Sequence, residues 1–194
     1  MLAETENKKQ MLEEYVKDND HAKEVQKYAL MIFDAFNETG IFNFSLRQRE
    51  YLKKAALLHD IGYAIESKSH HKHGMKMIIS QGLDGFDEEE TLVVANIARY
   101  HRGSFPDEQK HEYYAELSEE NRELVKKFGS ILRLADGLDK PHKNLILRIR
   151  AVQNDTELLL YIKTIGFKPN LKMAEKKKDM MEEVFQRKVK FLFE

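Results

Sequence analysis

The chain has no cysteine, three prolines and nine glycines among 194 residues, and its 32 Lys+Arg nearly balance 33 Asp+Glu, for a formal charge of −1. Without cysteine there is no disulfide, thiolate nucleophile or Cys-based zinc site, so imidazole and carboxylate are left as metal ligands. Eight histidines are available for that role. A charge near zero gives no bulk field toward nucleic acid or an anionic membrane, so any anion must be bound locally. The longest apolar stretches, around 29–33 and 55–58, fall far short of the roughly 20 residues that a membrane helix needs. The first residues, Met1 to Glu6, carry no basic region ahead of an apolar one, so no secretory signal is expected and a cytoplasmic location is the default. Few helix breakers and a charged fraction of 34% predict a mostly α protein.

Apolar residues recur at spacings of three and four through Leu12, Tyr15 and Val16, then through Val25, Tyr28, Ala29, Ile32, Phe33 and Phe36. This pattern predicts amphipathic helices, with a stop at Gly40. Ser45 and Gln48 carry the signature of a capping box, opening a helix that runs through Leu58 directly into His59 and Asp60. Further helices are predicted over 70–81, from an Asp87 cap to Tyr100, and from a Ser118 cap toward Pro141. From Leu145 the period changes to two. Leu145, Leu147, Ile149 and Ala151 alternate with Ile146, Arg148 and Arg150, and 158–162 follows across Asn154 and Asp155 as in a β-hairpin. A last helix is expected after Asn170, with Met173, Met180, Met181, Val184, Phe185 and Val189 as its apolar positions. The expected organisation is a helical domain over 1–142, with 143–194 forming a hairpin and C-terminal helix packed as an appendage of the same unit.

An adjacent His59 and Asp60 at the end of an apolar helix is chemically odd, because burying charge is costly unless it is paired or metal-bound. A divalent metal accounts for both side chains: imidazole nitrogen and carboxylate oxygen suit Zn, Fe, Mn or Co and exclude neither Ni nor Mg. Two ligands bind weakly, so others are sought inside helices. His21 opens a helical run, and Asp136 lies within the apolar sequence from Leu132 to Leu138. In this order, H…HD…D, the residues resemble the HD superfamily of metal-dependent phosphohydrolases. Leu58 to Tyr63, His70 to Gly74, Gly82 to Phe86, Arg99 to Arg102 and Leu132 to Asp139 follow in sequence and narrow the resemblance. They are similar to the C-terminal HD-like domain of the exopolyphosphatase/guanosine pentaphosphate phosphatase family.

The resemblance implies an HD-domain helical bundle, with a metal at His21, His59, Asp60 and Asp136. His70 and His101 stand where a second metal is held in two-metal HD proteins, or else bind phosphate. Asp60, His101, Arg102 and Lys140 are the implied catalytic groups, and Arg99, Lys72 and Arg133 could also neutralise phosphate oxygens. His71 and His73 are neighbours without an assigned role. The implied reaction is hydrolysis of a phosphate ester or phosphoanhydride in a nucleotide or polyphosphate-like substrate, with a homo-oligomer left open. In that family the principal catalytic site lies in an upstream actin-like ATPase-fold module, for which 194 residues leave no room. The alternative is therefore a non-catalytic module that binds a phosphorylated ligand. Asp139 is expected to be a helix-end or supporting carboxylate, and His111 and His142 surface residues. Lys176 to Lys178, interleaved with acids, read as a salt-bridged solvated face.

Overall fold

The computed structural model describes Tyr15, residues 19–139 and residues 144–194. The expected helix around Leu12 and Val16, the stop at Pro141, and the residues Lys140 and His142 lie outside the described residues. Helix α1, Asp20–Glu38, is capped by Asn19, whose Oδ1 accepts from the Ala22 N–H at 2.9 Å. It buries Val25, Tyr28, Ala29, Ile32, Phe33 and Phe36, the stripe the periodicity marks out. The predicted capping box opens α2, Leu46–Leu58: Ser45 Oγ accepts from Gln48 N–H, and the Gln48 side chain returns the bond at 2.9 Å. A second box, Asp87 with Glu90, opens α4, Glu88–Arg99, after α3, His70–Gln81. A short α5, Glu112–Ala115, leads to α6, Glu119–Leu138, capped by Ser118.

Helix α6 is the axis of the body. It packs against α1, α2 and α4, and nearly every residue from Phe128 to Leu138 is buried. A chain of rings, Phe33, Phe44, Phe128, Phe36, Phe42 and Phe185, with centroids 4.6–6.1 Å apart, fills the space beside it. Each buried phenylalanine stabilises the fold by about 1.5–3 kcal/mol relative to exposure, and the cluster joins α1, α6 and the C-terminal segment.

The hairpin is present as β1, Ile146–Gln153, and β2, Glu157–Thr164, paired antiparallel. Asn154 closes its turn by accepting from the Thr156 and Glu157 N–H groups. A bulge between Ile146 and Arg148 changes the face assignment. Ile146 joins Ile149 and Ala151 in the core, and Leu147 is 47% exposed. The final helix is divided at Lys178 into α7, Lys172–Lys177, and α8, Asp179–Phe185. Val189 is not helical: it lies in a third strand, β3, Lys188–Phe193, which pairs parallel to β2. Strand β1 packs on α1 and α7 on α6. At that second crossing, a Cβ on Gly137 would lie 2.9 Å from Ala174 Cα, so only glycine admits the approach. Among the described residues no helix is long and apolar enough to cross a membrane.

Candidate metal centre

Three histidines are held in the same way. His59, His70 and His101 each present Nδ1 to the main-chain carbonyl three residues earlier: Ala56 at 2.8 Å, Ser67 at 3.0 Å and Ala98 at 2.7 Å. A carbonyl oxygen only accepts, so Nδ1 carries the proton and Nε2 carries a lone pair. All three Nε2 atoms turn toward Asp60, at 3.4 Å from Oδ2 for His59, and at 3.0 and 3.3 Å from Oδ1 for His70 and His101. The fourth histidine is held differently. His21 Nδ1 lies 2.5 Å from Asp139 Oδ2, while its Nε2 faces Asp136 Oδ1 at 3.5 Å and Asp60 Oδ2 at 3.8 Å. Asp139 thus fixes the ring of His21 as a supporting carboxylate fixes a ligating imidazole.

Around Asp60 this set consists of inward imidazole lone pairs and carboxylate oxygens. His70 Nε2 and His101 Nε2 stand 3.4 Å apart, where neither has a proton to offer. His59 Nε2 is fully buried with no hydrogen-bond partner among the described residues. An orphaned buried nitrogen of this kind costs about 1–3 kcal/mol unless something binds it. Two overlapping groups, His21–His59–Asp136 and His59–Asp60–His101, each bring one ligand atom per residue within 4.8 Å of the others. The donors are nitrogen and oxygen with no sulfur, a set that fits a divalent cation.

The electrostatics agree. Burial opposes ionisation of Asp60, but the imidazoles of His101 and His59 beside it outweigh burial and hold the carboxyl well below its usual range. Burial likewise opposes the charged form of Asp136, and His21 and Lys177 reverse the balance. Burial pushes His101 down to about 4 and lowers His70, keeping both neutral at pH 7. For His21, burial is outweighed by hydrogen bonds to Asp136 and Asp139, and its pKa rises from 6.5 to about 9.

The His21 shift sets a pH dependence for the metal-free chain. A folded pKa above the unfolded one contributes stability that is complete below about 6.5 and is lost as pH rises through about 9. The difference in urea-unfolding free energy between wild type and His21→Gln should therefore shrink by about 3 kcal/mol between acidic and alkaline limits of that window. An unchanged difference would show that His21 is not held charged.

Lys177 is a neighbour of the cluster that sequence reasoning misses. It belongs to the lysine run expected to be solvated, yet its ammonium forms a close ion pair with Asp136 Oδ2, and its side chain is only 14% exposed. In the metal-free chain it supplies positive charge to the carboxylate cluster. Lys177→Met should lower metal-free stability by on the order of 3 kcal/mol, as for other broken buried pairs. Added Mn²⁺ should then raise the melting temperature more in the variant than in wild type; equal gains would exclude Lys177 as a competitor of the cation.

The remaining expected residues divide. Arg102 Nη1 stands 3.5 Å from both ring nitrogens of His70, at the mouth of the cluster. Arg133 does not face it: its guanidinium pairs with Asp179 at 2.8 Å and donates to the Gly103 carbonyl. His73 faces Glu66 at 3.5 Å, on the outside. His111 is not a free surface residue, since the Tyr100 hydroxyl and the Asp107 N–H both contact its Nδ1, at 2.9 and 3.2 Å.

Against known proteins, residues 5–179 match the family described as Ppx/GppA phosphatase, domain III. The guanosine-5'-triphosphate,3'-diphosphate pyrophosphatase of Pseudoalteromonas translucida (strain TAC 125) is 30% identical over 91 residues, 47% of this chain and 18% of that protein. The matched stretch is thus less than a fifth of that relative.

Proposed function

Because the chain belongs to the Ppx/GppA phosphatase domain III family, we propose that it is a divalent-metal-dependent phosphohydrolase of HD type. Its substrate class is a phosphate ester or phosphoanhydride in a nucleotide or polyphosphate-like compound, met in the cytoplasm. The observation that supports this reading best is the convergence of four imidazoles on the Asp60 carboxylate. His21, His59, Asp60 and Asp136 would hold one cation, and Asp60, His70 and His101 a second. When bound, such a cation polarises a phosphoryl oxygen and acidifies the attacking water.

The chain's own residues do the rest. Asp60, kept ionised by its surroundings, would orient that water through its carboxylate oxygens. Asp139 positions His21, and the carbonyls of Ala56, Ser67 and Ala98 fix the other three rings without cost at the moment of reaction. Arg102 at the mouth offsets negative charge on the phosphoryl oxygens. Lys140 is assigned the same task from the sequence alone.

Purified chain loaded with Mn²⁺, Co²⁺ or Mg²⁺ and offered nucleotides and inorganic polyphosphate should release phosphate or a nucleoside product. His59→Ala and Asp60→Ala should abolish the release, and unchanged activity in both would overturn the reading. A second reading is favoured by the small share of the pyrophosphatase that is matched: a module that binds a phosphorylated ligand for another catalytic unit. Binding of a nucleotide or polyphosphate with no turnover under any metal would favour it.

A further inference from the structure

Arg99, the last residue of α4, is 7% exposed, and among the described residues no carboxylate pairs with it. Its Nε is buried without a hydrogen-bond partner. Its guanidinium carbon lies 5.3 Å from the centroid of the Tyr100 ring, and neither that ring and its hydroxyl nor the neighbouring imidazoles of His71 and His111 bring negative charge at neutral pH. Asp107, the carboxylate that acts on Tyr100, is already paired with Lys110 at 2.7 Å. A second guanidinium, Arg102, follows three residues on, also with no carboxylate partner among the described residues. Arg99 precedes His101 by two residues, and Arg102 Nη1 lies 3.5 Å from the ring nitrogens of His70. Positive charge therefore accumulates on one side of the candidate metal cluster, and among the described residues no carboxylate compensates the most buried part of it.

A buried guanidinium without a carboxylate partner is expensive, and native proteins neutralise such groups by pairing. We propose that Arg99, with Arg102 beside it, forms an anion subsite adjoining the metal cluster, which takes a tetrahedral oxyanion, namely a phosphoryl group. The site differs in chemistry from the cluster: it is cationic and metal-independent, whereas the cluster is built of lone pairs and carboxylates. Its use in turnover, holding a phosphoryl group that does not react, rests on the hydrolase reading above; the binding of the anion does not.

The two guanidiniums make opposite demands on stability and on binding, which gives a signature that a structural arginine lacks. Replacing a buried unpaired charge by an apolar side chain of similar length relieves its desolvation cost. Arg99→Met should therefore melt at or above the wild-type temperature when the full chain is chelator-treated and free of phosphate. Inorganic phosphate, titrated calorimetrically into the same metal-free chain, should bind wild type and bind Arg99→Met at least about tenfold more weakly, the loss expected for one charge-assisted contact. Arg99→Lys, which retains the charge without the planar fork, should recover part of the affinity. A destabilised Arg99→Met that still binds phosphate as wild type does would overturn the subsite, and so would a metal-free wild type that binds no phosphate. The two readings fail separately. Phosphate binding through Arg99 without turnover in the loaded chain removes the hydrolase, whereas turnover with phosphate binding indifferent to Arg99 removes the subsite.

Discussion

Asp60→Asn should leave a folded chain that no longer retains divalent metal and whose phosphate release falls by about 100-fold or more. Asp60 lies within 3.8 Å of all four site imidazoles. Altering groups that merely orient a ligand already costs 10–100-fold in metal affinity or activity, so neutralising a shared ligand should cost at least that. In energy, a 100-fold loss is about 2.7 kcal/mol of transition-state stabilisation. The fold should survive because the asparagine amide offers what the carboxylate cannot. Its N–H groups can donate to the Nε2 lone pairs of His70 and His101, which otherwise face carboxylate oxygen at 3.0 and 3.3 Å. Elemental analysis, phosphate release and a melting curve on the same preparation check the three parts together. A variant that keeps both metal and activity would remove Asp60 from the centre.

Gly62→Ala should be the most damaging of the nine possible Gly→Ala changes. Gly62 sits in the 3-10 turn Ile61–Ala64 directly after Asp60, where the turn meets the first turn of α3. A Cβ there would lie 1.9 Å from the His70 carbonyl oxygen and 2.6 Å from the Gly74 nitrogen. Both are main-chain atoms of one helix, so no rotamer change relieves the contact, and α3 must move away from the turn. Overpacking of this sort costs 1–3 kcal/mol where side chains can yield, and about 3 kcal/mol or more is expected where they cannot. At roughly 2–4 °C per kcal/mol for a chain of this size, melting should fall by about 10 °C. Metal retention should fall further than stability alone explains, because the same motion withdraws His70 from Asp60. A variant with wild-type melting would contradict the close approach.

Much of the candidate site is legible in the chain because polar residues interrupt apolar helices. His59, Asp60 and Asp136 stand out against leucine, alanine and isoleucine, and His21, His70 and His101 gain meaning from their order. The three carbonyl contacts that set the tautomers are not legible, since every helical residue has a carbonyl three positions back. Lys177 is hidden for a different reason. Its run has the composition of a solvated face, and only the approach of α7 to α6 across Gly137 turns one member inward. Arg99 is legible as a candidate for phosphate oxygens but its burial is not, since that depends on the loop from Gly103 to His111 folding back toward Tyr100. In the sheet, alternation in 188–193 is a local strand signal, whereas parallel pairing with β2 is a non-local choice made by packing. The bulge at Ile146 inverts an inside–outside assignment that simple alternation cannot correct.

The central claim is that the imidazole and carboxylate cluster is a cation site. Elemental analysis of purified, undialysed chain alongside His59→Ala and Asp60→Asn tests it most directly. At least one divalent ion per wild-type chain, two if both groups fill, with near-complete loss in both variants is the expected result. Wild-type chain without stoichiometric metal, even after incubation with Mn²⁺, Co²⁺ and Zn²⁺ and removal of excess, would contradict it.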